Sequence, residues 1–405
     1  MISNSFKNTY FLLVFLLLFS LISCSQSKNS KLSSIITDEI LVGAQQTTQY
    51  LKLLEGKNIA IVANQTSVIY KNKNDYTHLV DSLLTLKTTI KTVFSPEHGF
   101  RGNADAGEKV TDGKDLKTGL QIISLYGNNK KPTKEQLNDV DVVVFDIQDV
   151  GVRFYTYIST LHYVMEACAE NGIPVIVLDR PNPNGHYIDG PTLEKEYTSF
   201  VGMHPIPVVY GMTIGEYAQM INGENWLKNK ITCNLTVIPL KNYKHSKSYS
   251  LPIKPSPNLP NDKAINLYPS LCFFEGTNVS AGRGTEKQFQ IFGSPFMKID
   301  SLQFSFTPQP NFGAKHPKHK NIECFGEDLS ETKPLNTIDL SYLIKAYTST
   351  LDKSSFFNSF FIKLAGTELL QQQITAEISV EEIYTSWQPK IEEFKKVRKK
   401  YLLYK

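Results

Sequence analysis

Val140–Asp146 reads VDVVVFD, a nearly unbroken apolar run closed by an aspartate. A strand wetted on one face alternates apolar and polar residues, so a run without alternation predicts a strand covered on both faces. The pattern repeats outward from it. Upstream, Asn58–Ala63 (NIAIVA) and Thr89–Phe94 are strand-like, His78–Leu86 between them has helical spacing, and Gln121–Leu125 offers a further strand. Downstream, Phe154–Asn171 is helical in spacing and stops at Asn171-Gly172, a C-cap signal. Pro174–Leu178 (PVIVL) is strand again. Such alternation predicts βαβ units and an α/β fold with a mostly parallel sheet.

The chain has 405 residues, and removal of a 23-residue leader leaves 382, enough for about two domains. With 41% hydrophobic and 20% charged residues, disorder, collagen and a long coiled coil are excluded. A net charge of +4, scattered along the chain, gives no footprint for nucleic acid. The leader begins with Lys7 and the apolar run Tyr10–Ile22, the length of a signal-peptide core and short for a membrane span. It ends in Leu21-Ile22-Ser23-Cys24, which resembles a bacterial lipoprotein box with Cys24 as the lipidated residue. Residues 24–38 then read as lipidated Cys and polar tether. The expectation is an exported protein, held by lipid on a bacterial membrane and facing the periplasm. Cys168, Cys233, Cys272 and Cys324 are far apart and lack a Cys-x-x-Cys pair, which argues against a thiolate metal site and leaves room for one disulfide.

In parallel sheets, ligands sit beyond the carboxyl ends of the strands. Ser95-Pro96-Glu97-His98-Gly99, Asp146-Ile147-Gln148-Asp149 and Asp179-Arg180-Pro181-Asn182 follow the three best strands. Each brings a carboxylate within three residues, which predicts a polar crevice at that edge. Prolines at 239, 252, 255, 257, 260 and 269 exclude a long helix or central strand over 239–270 and place a boundary there. The first domain is then 39–262 and the second 263–405. Near the end, Ser379 with Glu382 fits a capping box, and Gln388–Tyr401 reads as a charged amphipathic helix.

Several motifs fail. No Gly-x-Gly-x-x-Gly follows the first strand, and no nucleophile elbow occurs. Gly107–Asp115 resembles a phosphate loop but has one residue too many and an Asp where Ser or Thr should stand. His316-Pro-Lys-His319 lies in a basic loop without neighbouring carboxylates and reads as solvent-exposed.

Glu97 stands out because Pro96 and Gly99 make its turn stiff. A carboxyl partly withdrawn from water can protonate a leaving oxygen, whereas a nearby cation such as Arg101 opposes this. His98 completes the turn. Asp146–Tyr157 gathers Gln148, Asp149, Arg153, Tyr155 and Tyr157, groups that suit a polar ring such as a sugar, with Gly151 permitting close backbone approach. The same residues equally suit an Asp149–Arg153 ion pair at a helix start with both tyrosines in the core. In the second domain, Glu275–Thr285 (EGTNVSAGRGT) can point Glu275, Asn278, Ser280 and Arg283 into a cleft. Two carboxylates facing each other from different domains fit glycoside hydrolysis.

Together these blocks resemble the exo-β-N-acetylmuramidase family. They are SPEHGFRG (Ser95–Gly102), DAGE (Asp105–Glu108), SLYG (Ser124–Gly127), DIQDVGVRFYTYIST (Asp146–Thr160), LDRPNP (Leu178–Pro183), SFVG (Ser199–Gly202), YGMTIGE (Tyr210–Glu216), PSPNLP (Pro255–Pro260) and EGTNVSAGRGT. The resemblance implies release of terminal β-1,4-linked N-acetylmuramic acid from peptidoglycan fragments, in a cleft between a Rossmann-like domain and a smaller C-terminal α/β domain, with no metal and no redox cofactor. It implies Glu97 as general acid and Glu275 as a second catalytic or orienting carboxylate. Alternatively, the substrate's own acetamido group is the nucleophile, with Asp146 or Asp149 in support. The chain departs from the pattern after Thr285, where Gln288 and Gln290 replace the Pro and Glu of many members. Muramic acid carries a lactyl carboxylate, so one of Arg101, Arg153 or Arg283 is expected to confer selectivity. Two rivals stand beside this reading: a peptidoglycan-binding lipoprotein without turnover, and a metal-dependent phosphoesterase built on His98, Asp146 and Asp149.

Overall fold

The computed structural model describes residues 39–72, 75–102, 112–298 and 304–404. The leader, Cys24, the tether, the DAGE block and the start of the Gly107–Asp115 loop lie outside the described residues. The first half contains β1 (Asn58–Ala63), β2 (Val68–Asn72), β3 (Asp75–His78), β4 (Thr89–Ser95), β5 (Gly113–Lys114), β6 (Gln121–Ser124), β7 (Val142–Asp146), β8 (Val175–Leu178) and β9 (Leu235–Ile238). Seven of these form one sheet in the order β5-β6-β4-β1-β7-β8-β9, and β2 and β3 form a separate hairpin. Within the sheet, only the short β5 runs antiparallel to its neighbour.

The VVVF run is strand because both of its faces are covered. Val143 and Phe145 join Ala60, Val62, Val175 and Val177 in a core under α3 (Tyr157–Glu170) and α4 (Ile214–Gly223). Val142 and Val144 join Ile59, Ile61, Ile176 and Leu178 in a second core beneath α1 (Thr47–Leu54) and α2 (Leu79–Thr85). Alternate side chains thus serve opposite layers, and neither set meets water.

The C-terminal half opens with α5 (Asp262–Leu271), N-capped by Asn261. Helix therefore reaches into the proline-dense stretch, past Pro269. Proline leaves one carbonyl a turn earlier without its helical donor. Asn184 Nδ2 donates to that carbonyl, on Ile265, at 3.2 Å. Beyond it, β10 (Ile291–Ser294), β12 (Cys324–Asp328) and β11 (Phe304–Phe306) form a small antiparallel sheet. Helices α6 (Ser341–Ser349), α7 (Phe360–Ala365), α8 (Leu369–Thr375) and α9 (Val380–Arg398) complete the chain. The Ser379–Glu382 capping box is present, but α9 runs from it without a break through Pro389, eight residues earlier than the expected start. Ile383, Trp387, Ile391 and Phe394 form one buried stripe across the proline and hold both segments as a single helix.

Side chains from α6 to α9 belong to the same apolar core as Val143 and Phe145. Ile40–Lys405 accordingly packs as one compact unit. Cys168, Cys233, Cys272 and Cys324 are all buried free thiols.

Candidate active site

β4 and β7 flank β1 on opposite sides. A crevice opens beyond the strand ends at such a reversal of strand order. Two residues past β4, the Pro96–Gly99 turn places His98 at φ 73° and Gly99 at φ 79°. Both values are left-handed, which His tolerates better than most side chains and Gly adopts freely. The turn delivers Glu97 and His98 to the wall of a cavity of about 760 Å³. Thr156 Oγ1 donates to Glu97 Oε2 at 3.3 Å. Tyr126, two residues past β6, also bonds Glu97 and lines the cavity; burial, reinforced by the Glu97 charge, pushes its phenol well above the usual range.

The opposite wall comes from the C-terminal half. The turn after α5 carries Glu275, whose Oε1 accepts from Arg283 Nε at 2.8 Å. Burial raises the Glu275 carboxyl, but the Arg283 and Lys318 charges outweigh it and hold the group below its ordinary value. Lys318 Nζ donates to the carbonyls of Phe274, Thr277 and Val279 at 2.8, 2.5 and 3.0 Å. Between the walls, edge-to-face rings join the halves: Phe154 to Tyr268 at 5.5 Å, Tyr155 to Tyr268 at 6.0 Å and Tyr268 to Phe289 at 4.8 Å. Tyr155 donates its hydroxyl to the Pro255 carbonyl at 2.8 Å, which fixes its ring in the cavity wall.

Glu97, His98, Tyr155, Glu275, Ser280 and Arg283 thus line one cavity. The other expected site residues do not, and each departure has a physical cause. Asp146 is fully buried and accepts two hydrogen bonds from Arg180, at 2.6 and 2.9 Å. Asp149 is buried against Tyr210 and the Gly151 amide, so the expected Asp149–Arg153 pair does not form. Gln148 bonds the carbonyls of Asp149 and Pro181. Tyr157 is sealed between Asn64 and Pro255. Arg153 is fully buried; its terminal nitrogens donate to the carbonyls of Pro191, Ile206, Leu364 and Ala365 at 2.7–2.9 Å. Arg101 pairs with Asp81 and Asp115 in a separate groove. The Asn278 side chain stands outside the cavity lining, with its amide buried. Burial of Asp146 and Asp149 also dismantles the phosphoesterase triad with His98.

Models of the exo-β-N-acetylmuramidase NamZ match residues 59–263 (N-terminal) and 266–404 (C-terminal). A curated relative, the peptidoglycan β-N-acetylmuramidase NamZ of Bacillus subtilis, is 39% identical over 98% of this chain and all of its own length. The chain belongs to the exo-β-N-acetylmuramidase family. Two crystal structures of DUF1343 family proteins from Bacteroides fragilis share the fold. One has a TM-score of 0.83 and 46% identity, covering 91% of this chain and 99% of its own; the other has 0.76 and 30%, covering 90% and 99%.

Some residues that line this cavity escaped sequence reasoning. Tyr126 follows β6 as Glu97 follows β4, so the strand-end rule applied to Gln121–Leu125 would have found it. Ser256 and Asn258 line the cavity from PSPNLP. His316, Pro317 and Lys318 line it as well. His316 is exposed, as expected, but the expectation of a basic loop without nearby carboxylates is overturned, because the Lys318 charge acts on Glu275.

Proposed function

We propose that this cleft hydrolyses the β-1,4 bond of a terminal N-acetylmuramic acid at the non-reducing end of peptidoglycan fragments. One observation carries the reading: Glu97 from one half and the Glu275–Arg283 pair from the other line a single cavity. Glu97 protonates the bridging oxygen as the sugar C1–O bond breaks, and that oxygen leaves as a hydroxyl of the shortened fragment. Water forms the new C1–O bond, and the proton it releases replaces the one that Glu97 gave to the leaving oxygen. Glu275, held ionised by its cationic neighbours, faces the positive charge that builds on the ring. Of the three arginines considered for selectivity, Arg283 lines the cavity, and contact with the lactyl carboxylate is assigned to it.

Glu97→Gln keeps the shape of the side chain and removes its transferable proton. Release of N-acetylmuramic acid from a chromogenic muramide should fall about 10²–10⁴-fold while the saccharide still binds. Unchanged turnover would remove Glu97 from the mechanism, and no release by the wild-type protein would favour a binding protein.

The apolar run Tyr10–Ile22 followed by Ser23-Cys24 supports a lipid anchor on Cys24 and a periplasm-facing enzyme. Cys24→Ser should move the protein from the membrane fraction to the soluble fraction. A variant that stays with the membrane argues against the lipid.

A further inference from the structure

We propose that Lys318 is a specificity-determining residue, whose charge makes the C-terminal wall of the cleft selective for a sugar bearing a carboxylate. The inference rests on the muramic acid reading of the cleft and deepens it. Arg283 alone is a poor explanation of selectivity, because its Nε already donates to Glu275 at 2.8 Å and the two charges offset each other. A second carboxylate approaching Arg283 meets the negative charge of Glu275. Two opposite charges leave that part of the wall close to neutral, and a neutral wall does not separate an acidic sugar from N-acetylglucosamine.

Lys318 changes this balance. It lines the same cavity, and its charge is felt by both Glu275 and Arg283. On this wall two cations then stand against one carboxylate. The ammonium is fixed in place. Its three carbonyl acceptors lie on the segment 274–279, which carries Glu275, and the neighbouring His319 Nε2 bonds the Asn278 carbonyl of that segment at 2.6 Å. With its donors spent on backbone, Lys318 acts on a ligand through its field, and a half-buried fixed charge is screened less by solvent than an exposed one. The group it recognises is the lactyl carboxylate, which N-acetylglucosamine lacks.

Lys318→Gln separates charge from hydrogen bonding, because the amide still offers two N–H donors to the carbonyls. Lys318→Arg restores the charge. The measurement is the ratio of kcat/KM for a muramide to that for the matching N-acetylglucosaminide, with the methyl ester of the lactyl group as a neutral control. Lys318→Gln is expected to lower the ratio about tenfold, leave the ester-to-glucosaminide ratio within about twofold of wild type, and regain selectivity as Lys318→Arg. A ratio unchanged in folded Lys318→Gln overturns the proposal, as does an equal loss on acid and ester, which marks a purely structural role. Failure of the underlying reading looks different: wild-type protein then shows no preference for the muramide, and the proposal falls with it.

Discussion

Each arginine considered for selectivity has the same side chain, and its surroundings decide its role. Arg101 is tied to two aspartates in a groove of its own, and Arg153 is closed in by carbonyls. Arg283 stands at the cavity with its guanidinium 5.2 Å from the centre of the Phe289 ring, so ring and carboxylate together fix its plane. An oriented guanidinium recognises a carboxylate with a geometry that an ammonium does not reproduce. Arg283→Ala is therefore expected to reduce the preference for muramide over glucosaminide by about 10–100-fold, measured as a ratio of kcat/KM. Arg283→Lys should recover only part of it. Retention of the full ratio in Arg283→Ala would remove the residue from recognition.

Arg153 matters at the scale of elements. It leaves the β7–α3 connection, which also supplies Tyr155 and Thr156 to the cleft, and donates to the last carbonyls of α7, which supplies Phe360 and Leu364. One side chain thus ties a wall element of each half to the other. Arg153→Met fills similar space but leaves the buried carbonyls of Pro191, Leu364 and Ala365 without donors, that of Ile206 keeping the Leu193 amide, and should cost about 3 kcal/mol, read as a lowered denaturation midpoint. An unchanged midpoint would mean that water or repacking satisfies those carbonyls. The same connection shows what the sequence could tell. Strands β1, β4, β7 and β8 were legible because apolar runs of that length have few other solutions. Gly151 was legible as a point of close approach: a Cβ there would lie 2.2 Å from the Asn182 amide, at φ 76°. Glu97 and Glu275 were legible as strand-end and loop carboxylates. The fate of Asp146 was hidden, because its partner Arg180 lies 34 residues away and only the adjacency of β7 and β8 brings them together. Helix α9 was read short because its first turns are mostly polar and Pro389 imitates a boundary, whereas the buried stripe that overrides it exists only against the folded core.

The whole molecule is closed by its last residues. Leu403 and Tyr404 donate their amides to Glu216, and the Tyr404 hydroxyl reaches Asp179 at 2.5 Å, across 225 residues of sequence. Burial pushes Asp179 up to about 7, against hydrogen bonds from Tyr404 and Thr213 that lower it. Burial likewise pushes Asp149 up to about 7, against the hydrogen bond from Tyr210. In the unfolded chain both titrate near ~3.9. Between about pH 4 and pH 7 the folded protein therefore holds more protons than the unfolded one, and stability falls as pH rises, by up to ~1.4 kcal/mol per pH unit for each group. Asp115 works in the opposite sense. Burial raises it, but Arg101 and Thr118 bring it down to about 2, so its contribution is present above pH 4 and is lost on acidification toward 2. From pH 5 to pH 7.5 Asp179 and Asp149 pull the midpoint of thermal unfolding down, against the buried His78, His162 and His204, whose burial lowers them and makes stability rise with pH below about 6.5. Asp179→Asn removes one of the two raised groups while keeping the size of the side chain. From pH 5 to pH 7.5 its denaturation midpoint should fall less, or rise more, than that of the wild type, whatever the variant's absolute stability. An equal change in both proteins would show that Asp179 is already ionised at pH 5 and that the Tyr404 and Thr213 hydroxyls, rather than a retained proton, stabilise it in the core.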